Sequence, residues 1–298
     1  MSVVTKPTVS MFQNKAELSS SPTQTKLMPL RSKIIIIASK ELSDHLRNGW
    51  IIAISLIFAL LAIIISLAGF GFTGSVGLAG EQTTLLSLTS LVIYLIPLLG
   101  LILGYDSISG EQEQGTLNLL LCYPITSRDL LMGKWLGLSW VLTITIIAGL
   151  LLPASLAIYA GHSIIPWLNF TLLSLWIGII FIAIATLLST TLWERARLLG
   201  LILGLWLLLT VLFDVGLMGM MVYSNGKLPT ELVNAIFYLN PTSLFRFLNT
   251  SILFDASVLQ QMGWQSQIPS IPKLIAALLL WTIIPMIVAV YKMQRKGQ

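Results

Sequence analysis

The chain has 298 residues, of which 56% are hydrophobic and 10% charged, with a net charge of +5. Soluble globular proteins carry about 25% charged residues, so this composition excludes a cytosolic enzyme and a disordered chain. The single cysteine excludes a secreted scaffold held by disulfide bonds within the chain. We therefore predict an integral membrane protein.

The chain before the first long apolar stretch divides into two parts. Residues 1–30 are predicted to be a disordered cytoplasmic tail, because 1–27 are polar and show no sustained periodicity. From Arg31 to Asn48, apolar residues recur at every fourth position, which predicts an amphipathic helix lying on the membrane surface. Its charged positions are Lys40, Glu41, Asp44 and Arg47. This helix is either an interfacial anchor or an elbow that transmits movement from a cytoplasmic partner to the first span.

Six stretches are long and apolar enough to cross about 30 Å of hydrocarbon as helices. They run from Trp50 to Phe70, Leu85 to Tyr105, Trp135 to Ala160, Ile164 to Trp193, Leu198 to Tyr223 and Ile271 to Tyr291. The predicted fold is therefore an all-α integral membrane domain with six spans, covering residues 31–298.

The distribution of basic residues predicts the orientation, because positive charge concentrates on the cytoplasmic side of membrane proteins. With six alternating spans, all but three of the 17 Lys and Arg residues lie on one side, the exceptions being Lys227, Arg246 and Lys273. We therefore predict that both termini are cytoplasmic. The net positive charge reflects this sorting, and we expect no nucleic-acid partner.

The polar segment between the second and third spans, residues 104–135, is much longer than the roughly 2 to 8 residues that connect helices in a bundle. It begins with Asp106, Glu111 and Glu113 and continues with an apolar run over 117–121. Because about half of it is apolar, it must bury its leucines against lipid, the chain's own helices or a soluble partner. The glutamates either dock such a partner or cap a short helix, since negative charge favours a helix N-terminus.

Neither a catalytic nor a metal-binding pattern is present in the sequence. The phosphate-binding motif Gly-x-x-x-x-Gly-Lys-Ser/Thr is absent, because Gly133-Lys134 is followed by Trp135. His45 and His162 are predicted on opposite sides of the membrane and Cys122 is the single cysteine, so neither a metal cluster nor a Cys–His nucleophile is expected. We predict a non-catalytic chain that itself binds no cofactor.

Asp214 is the one carboxylate within the six predicted spans, about 13 Å from their outer end near Tyr223. A charged group at the bilayer centre costs about 2.5 to 3.5 kcal/mol, so this side chain should face protein or water. Asp214 is therefore a candidate residue for translocation or for a dimer interface. Met218, Met220 and Met221 follow it, and thioethers suit Cu(I), but ordinary packing explains them better.

The segment between the fifth and sixth spans, residues 224–270, is the largest predicted external piece. Leu228 to Leu239 is expected to form an amphipathic, partly re-entrant helix that ends at Asn240-Pro241. Arg246 lies near the membrane and pairs either with an acidic group or with a lipid phosphate. The segment either contacts an external partner or lies on the bilayer.

Three stretches carry a resemblance to a known family. Asp106-x-Ile108-x-x-Glu111-x-Glu113-x-Gly115-Thr116-Leu117, followed by Pro124-Ile125, Arg128 and Gly133-Lys134, resembles the signature of ABC-2 type permeases, the membrane subunits of ATP-driven exporters. Ala38 to Asn48, and Leu239-Asn240-Pro241-Thr242 with Arg246, resemble the NosY-type permeases of that family, which support copper-site maturation of nitrous oxide reductase. Together the similarity spans residues 31–292.

The resemblance implies a homodimer of six-span subunits in the cytoplasmic (inner) membrane of a bacterium or archaeon. The dimer would sit on two copies of a separate cytoplasmic ABC ATPase, which holds ATP and Mg²⁺. It places a coupling helix in residues 104–135. The residues implied to couple the subunit to the ATPase are Asp106, Glu111, Glu113, Gly115, Thr116 and Arg128. It also allows the outer segment to contact a periplasmic accessory protein. Membrane lipid is a further expected partner of the chain. The tail before residue 30 and Ser243, where we expect an acidic residue, depart from the family pattern.

The expected function is coupling of ATP hydrolysis on the partner to export or to a conformational relay across the membrane. The alternatives are an ABC-2 exporter of another cargo and a secondary transporter that uses Asp214. A secondary transporter is disfavoured, because proton relays usually need several ionisable groups within the spans. A membrane enzyme is disfavoured by the lack of a catalytic pair.

Overall fold

The six predicted spans are all helices in the computed structural model of the chain, which describes residues 30–72, 78–116, 125–192, 194–225, 229–253 and 270–296. Within these ranges the chain forms helices joined by turns, and no strand occurs there. Nearly all of the predicted tail, and the apolar run 117–121 of the predicted coupling helix, lie outside the described residues.

The described ranges contain nine helices. They are α1 (Leu30–Leu46), α2 (Gly49–Phe72), α3 (Leu78–Glu113), α4 (Ser127–Tyr159), α5 (Ile164–Ser189), α6 (Arg195–Tyr223), α7 (Thr230–Tyr238), α8 (Pro241–Leu253) and α9 (Ile271–Lys296). Helices α2 to α6 and α9 are long and apolar enough to cross a membrane, which confirms the predicted all-α, six-span fold. Because α3 continues to Glu113 and α4 begins at Ser127, residues 104–113 and 127–135 of the predicted loop are helical.

The bundle has two ends, because consecutive spans run in opposite directions. We call one the α1 end: it holds α1, the last turns of α3 and the first turns of α4 and α6. We call the other the hairpin end: it holds the start of α3, the turn between α4 and α5, and helices α7 and α8.

Helices α3 and α5 form the centre of the bundle. In their most apolar windows 56% and 61% of residues are buried, against 17% in both α2 and α6. At the α1 end, the Ser189 hydroxyl accepts hydrogen bonds from the backbone N–H groups of Ile108 and Ser109, at 3.0 and 2.9 Å. The buried apolar faces of α3 and α5 thus hold the core, while α2 and α6 present apolar surface to whatever surrounds the bundle.

Helix α1 packs across the first turns of α4. Gly133 and Gly137, one turn apart on α4, lie directly against Ile37 and the backbone of Ala38, so a Cβ at either glycine would collide with α1. Small residues at this spacing let two helices approach closely. The predicted apolar stripe of α1 therefore packs on protein at Ala38, which is 1% exposed; that α1 also lies on the membrane surface stays a prediction.

Helices α7 and α8 form a hairpin that enters the bundle from the hairpin end. The predicted helix from Leu228 to Leu239 is present as α7, whereas α8 was not predicted. At the turn, the Tyr238 backbone oxygen accepts a hydrogen bond from Trp281 Nε1 at 3.1 Å, ten residues or about 15 Å into α9. For comparison, the hydrocarbon core of a bilayer is roughly 30 Å thick.

Candidate functional site

The main concentration of ionic contacts at the α1 end centres on Lys134, which is only 3% exposed. Its Nζ lies 2.6 Å from Glu41 Oε1 on α1 and 2.8 Å from Glu111 Oε1 in the last turn of α3. A buried ammonium needs such partners, because an unpaired buried charge is strongly destabilising. Lys134 itself is on α4, so this single side chain joins three helices. We call Glu41, Lys134 and Glu111 the lysine bridge.

Glu41 has a second partner on its own helix. His45 Nε2 lies 3.4 Å from Glu41 Oε2, one turn further along α1. Burial alone would raise the pKa of Glu41, but hydrogen bonds from His45 and Lys134, and the positive charge of Lys134, lower this pKa from its ordinary 4.5 to about 2. Glu41 is therefore ionised at neutral pH. Lys40 and Asp44, one turn apart on the same helix, are both exposed.

A second ionic group joins α3 to α6 at the same end. Arg195 Nε lies 2.8 Å from Asp106 Oδ1 and 3.0 Å from Glu113 Oε2. These side chains are about one-third to one-half exposed, so solvent weakens the attraction and each pair contributes little, about 0 to 1 kcal/mol. The group fixes the relative position of two helix ends more than it stabilises the fold.

The end of α3 is set by Gly115, whose φ of +71° belongs to the left-handed region that glycine adopts without strain. Its N–H donates to the Gln112 backbone oxygen at 3.1 Å, and the Thr116 hydroxyl donates to the Glu111 oxygen at 3.1 Å. Helix α4 starts with a reciprocal cap between Thr126 and Asp129. Both helix ends that flank the segment between α3 and α4 are therefore fixed by hydrogen bonds.

The structure thus brings together most of the predicted coupling residues, with partners that the sequence patterns did not predict. Glu111 and Glu113 belong to separate ion pairs within the chain, and Arg128 is exposed in the first turn of α4. Of the charged positions predicted on α1, Glu41 enters the lysine bridge, while Lys40, Asp44 and Arg47 are exposed. The signal for the α1–α4 contact was present in the sequence as Gly133-x-x-x-Gly137.

At the hairpin end, the Asn240-Pro241-Thr242 motif forms the turn of the hairpin. Asn240 is fully buried, and its Nδ2 donates to the Leu209 backbone oxygen on α6 at 2.7 Å. The Thr242 hydroxyl shares its one proton between this oxygen, at 3.1 Å, and Asn240 Oδ1, at 2.8 Å. Leu209 lies in a π-helical turn, residues 208–212. Such a turn disturbs the regular helix hydrogen bonds, and the motif supplies two donors to a backbone oxygen there. Pro241 opens α8, where its missing N–H costs nothing.

Asp214 lies two residues beyond this π-helical turn and pairs with Arg246 of α8. Arg246 Nη2 donates to Asp214 Oδ2 at 2.7 Å. Of the two partners considered for Arg246, an acidic group is therefore the one observed. The pair and the Asn240 contact together attach the hairpin to α6 at two successive levels.

A further ionic contact at the hairpin end was missed. Glu81, 5% exposed in the first turn of α3, lies 3.2 Å from His162 Nδ1 and accepts a hydrogen bond from Trp167 Nε1 at 3.1 Å. The predicted second span starts at Leu85, so Glu81 lies outside it, whereas α3 starts at Leu78 and includes Glu81. The contact joins the start of α3 to the turn between α4 and α5.

Taken together, the lysine bridge, the Arg195 group, the Asp214–Arg246 pair and the Glu81 contact each join separate parts of the helical bundle. No cluster of His, Cys, Asp and Glu able to hold a metal ion occurs among the described residues. Helix α3 extends between both ends of the bundle. Glu111 in its last turns contacts Lys134, and Glu81 in its first turn contacts His162. At 36 residues the helix is about 53 Å long.

Known proteins resemble this chain over most of its length. Residues 35–297 match the family described as ABC-2 family transporter protein. A protein of Pseudomonas aeruginosa named as a probable ABC transporter permease protein NosY is 40% identical over an alignment of 256 residues, and the match covers 82% of this chain and 92% of the relative. A protein of the same name from Stutzerimonas stutzeri is 40% identical over an alignment of 221 residues, and the match covers 72% of this chain and 80% of the relative.

Proposed function

The chain belongs to the ABC-2 family of transporter proteins, and from this premise we propose how it uses the energy of ATP. It is an inner-membrane permease subunit of an ABC transporter, a kind of subunit that associates with an ABC ATPase. In our proposal two copies of the chain sit on two copies of this ATPase, which alone binds ATP and Mg²⁺. The ATPase docks in the cytoplasm at the α1 end, between the exposed Arg128 and the segment that follows Thr116.

The observation that carries this proposal is the lysine bridge. A docking segment attached only by flexible loops would move without moving the bundle. Here Glu111 lies five residues before Thr116, and Lys134 lies six residues after Arg128. Lys134 contacts Glu111 at 2.8 Å and Glu41 of α1 at 2.6 Å. Because the bridge is buried and charge-assisted, separating its members is costly. A displacement of the docking segment is therefore passed to α1, α3 and α4 together.

Helix α3 then carries the displacement to the hairpin end. Near its start Thr89 accepts a hydrogen bond from the buried Asn249 side chain of α8, and Gln82 Nε2 donates to the Leu253 backbone oxygen at 3.5 Å. Helix α3 is continuous from Leu78 to Glu113 and packs against α5 along the core, so in our proposal it moves as one element. We propose that ATP-driven movement at the α1 end thereby shifts the α7–α8 hairpin.

A site-specific cross-linking experiment tests the proposed docking. A photo-cross-linking amino acid is placed at the exposed positions Gln114 or Arg128 and, as a control, at Tyr223, which is 91% exposed at the hairpin end. We expect the ATPase to be captured in intact cells from the first two positions and not from the third. Capture from Tyr223 alone, or from none of these positions in a complex that still hydrolyses ATP, would contradict both the docking site and the cytoplasmic orientation.

We propose that the chain has the biological role of the NosY-type permeases, which support copper-site maturation of nitrous oxide reductase. The resemblance at residues 38–48 and 239–246, together with the similarity over most of the chain, supports it. Removing the chain from its host should leave nitrous oxide reductase depleted of copper, and restoring the chain should restore the copper. A reductase with full copper content in the absence of the chain would sink this assignment and favour another cargo.

The alternative of a secondary transporter centred on Asp214 receives no support from the geometry. Its carboxylate is neutralised by Arg246 at 2.7 Å, and that pair attaches the hairpin to α6. In our proposal Asp214 serves to attach the hairpin to α6.

A further inference from the structure

An apolar groove runs along the outside of the bundle at the hairpin end. It has a volume of about 690 Å³ and lies between α9 and the turn of the hairpin at Tyr238 and Leu239. Helix α9 contributes one face of residues spaced three and four apart: Lys273, Ala276, Ala277, Leu280, Trp281 and Ile284. The two alanines make the groove concave, since larger neighbours flank them.

The groove is built to hold an apolar occupant. The only indole nitrogen that lines it, that of Trp281, donates to the Tyr238 backbone oxygen at 3.1 Å and is thereby satisfied within the chain. Leu239, Leu280 and Ile284 are 65%, 56% and 53% exposed. Apolar surface of this extent on a membrane helix must be covered by hydrocarbon or protein.

The dimensions of the groove match one leaflet of a bilayer. From Lys273 to Ile284 the helix rises about 16 Å, and half of the hydrocarbon core is roughly 15 Å. Lys273 lies at the rim, on the third residue of α9, where a lysine reaches the lipid headgroups. The groove therefore extends from headgroup level to the middle of the membrane, as one acyl chain does.

Charge distinguishes this rim from the rest of the hairpin end. Among the described residues, no carboxylate pairs with the exposed Lys273, whereas Arg246 at the same end is already paired with Asp214. An exposed ammonium beside an apolar groove complements a phosphate joined to an acyl chain. A lipid with net negative charge fits best, because the ammonium of a zwitterionic lipid competes with Lys273 for the phosphate.

We propose that this groove binds one anionic phospholipid from the leaflet at the hairpin end. Its phosphate lies at Lys273 and one acyl chain lies along α9 between Ala276 and Ile284, against the turn of the hairpin. The lipid thus covers the junction between α9 and the hairpin. The inference depends neither on the cargo nor on the site at which the ATPase docks.

The test is native mass spectrometry of the purified complex with its ATPase, titrated with phosphatidylglycerol or phosphatidylethanolamine. We expect one tightly retained phosphatidylglycerol per chain and weaker retention of phosphatidylethanolamine. K273Q should lower the affinity for phosphatidylglycerol about fivefold, the effect of one basic residue at a lipid surface. A276W should abolish retention by filling the groove.

Two variants on the same helix serve as matched controls. K292Q removes a lysine at the opposite end of α9, and L279W adds a tryptophan at an exposed position outside the groove; both should retain the lipid as the unmodified chain does. Equal affinity for the two lipids, or unchanged retention in K273Q and A276W, would overturn the proposal. So would a disulfide between two copies bearing L280C in a C122S background, since the groove would then face a second copy.

Discussion

At the scale of single residues, the ionisation of Glu41 is the most informative feature. Burial favours the neutral acid, yet His45 and Lys134 lower its pKa to about 2. A carboxyl group whose pKa is lower in the folded than in the unfolded chain stabilises the fold above the unfolded value, 4.5 here. That stabilisation is lost as the pH falls from 4.5 towards 2. Since a tenfold change in the acid constant is worth about 1.4 kcal/mol, the whole effect is about 3 kcal/mol.

We therefore expect E41Q to lower the free energy of unfolding by about 3 kcal/mol at neutral pH and by progressively less below pH 4.5. Denaturation of the detergent-solubilised chain, followed between pH 7 and pH 3, measures this difference. E231Q, at an exposed glutamate of α7, is the matched control and should show no comparable loss. An E41Q deficit that stays constant down to pH 3 would show that the charge on Glu41 is not what stabilises α1.

At the scale of elements, the hairpin is attached to α6 through polar contacts in an otherwise apolar region. The Leu209 backbone oxygen receives hydrogen bonds from Asn240 and Thr242, and Asp214 receives one from Arg246. Such contacts are directional, and an unsatisfied polar group in this environment costs several kcal/mol. They therefore fix the depth of the hairpin, which apolar packing alone would leave free to slide.

T242V tests this attachment, because valine keeps the shape of threonine and removes its hydroxyl. We expect a loss of about 1 to 2 kcal/mol in the free energy of unfolding. T143V is the control: the Thr143 hydroxyl donates only to Ser139 of its own helix, so its removal should change stability by less than about 0.5 kcal/mol. Equal losses in the two variants would mean that the Thr242 hydroxyl, with its contacts to Leu209 and Asn240, contributes nothing beyond an ordinary helix hydrogen bond.

The same elements show which parts of the structure could be predicted from the sequence. The six spans could be predicted because about 20 apolar residues are a sufficient signal on their own. Helix α8 was missed because Arg246 and Asn249 make it look like an external loop, and its burial depends on partners far away in sequence, Asp214 and Thr89. Likewise Glu111 could be identified as important, but its pairing with Lys134 depends on how α1, α3 and α4 meet.

At the scale of the whole molecule, α3 links the two ends. It holds the lysine bridge at its last turn, and its first turns contact His162 and the hairpin. We therefore propose a physical route for coupling through the acidic segment. The ATPase moves the segment between α3 and α4, and the lysine bridge transfers this movement to α3. Helix α3 then moves the hairpin. Arg128 and the segment after Thr116 supply the contact, and Glu111 supplies the transmission.

The most direct test of this route follows a cysteine at L232C on α7, in a C122S background, in the complex with its ATPase. Its labelling rate by a thiol reagent is compared between nucleotide-free and ATP-bound states. We predict an ATP-dependent change in the unmodified chain and no change in K134M. We predict recovery in the triple reversal E41K/K134E/E111K, which restores the attraction of residue 134 to both of its partners. If K134M retains the full ATP-dependent change while ATP is bound, the lysine bridge does not transmit the movement and the account is wrong.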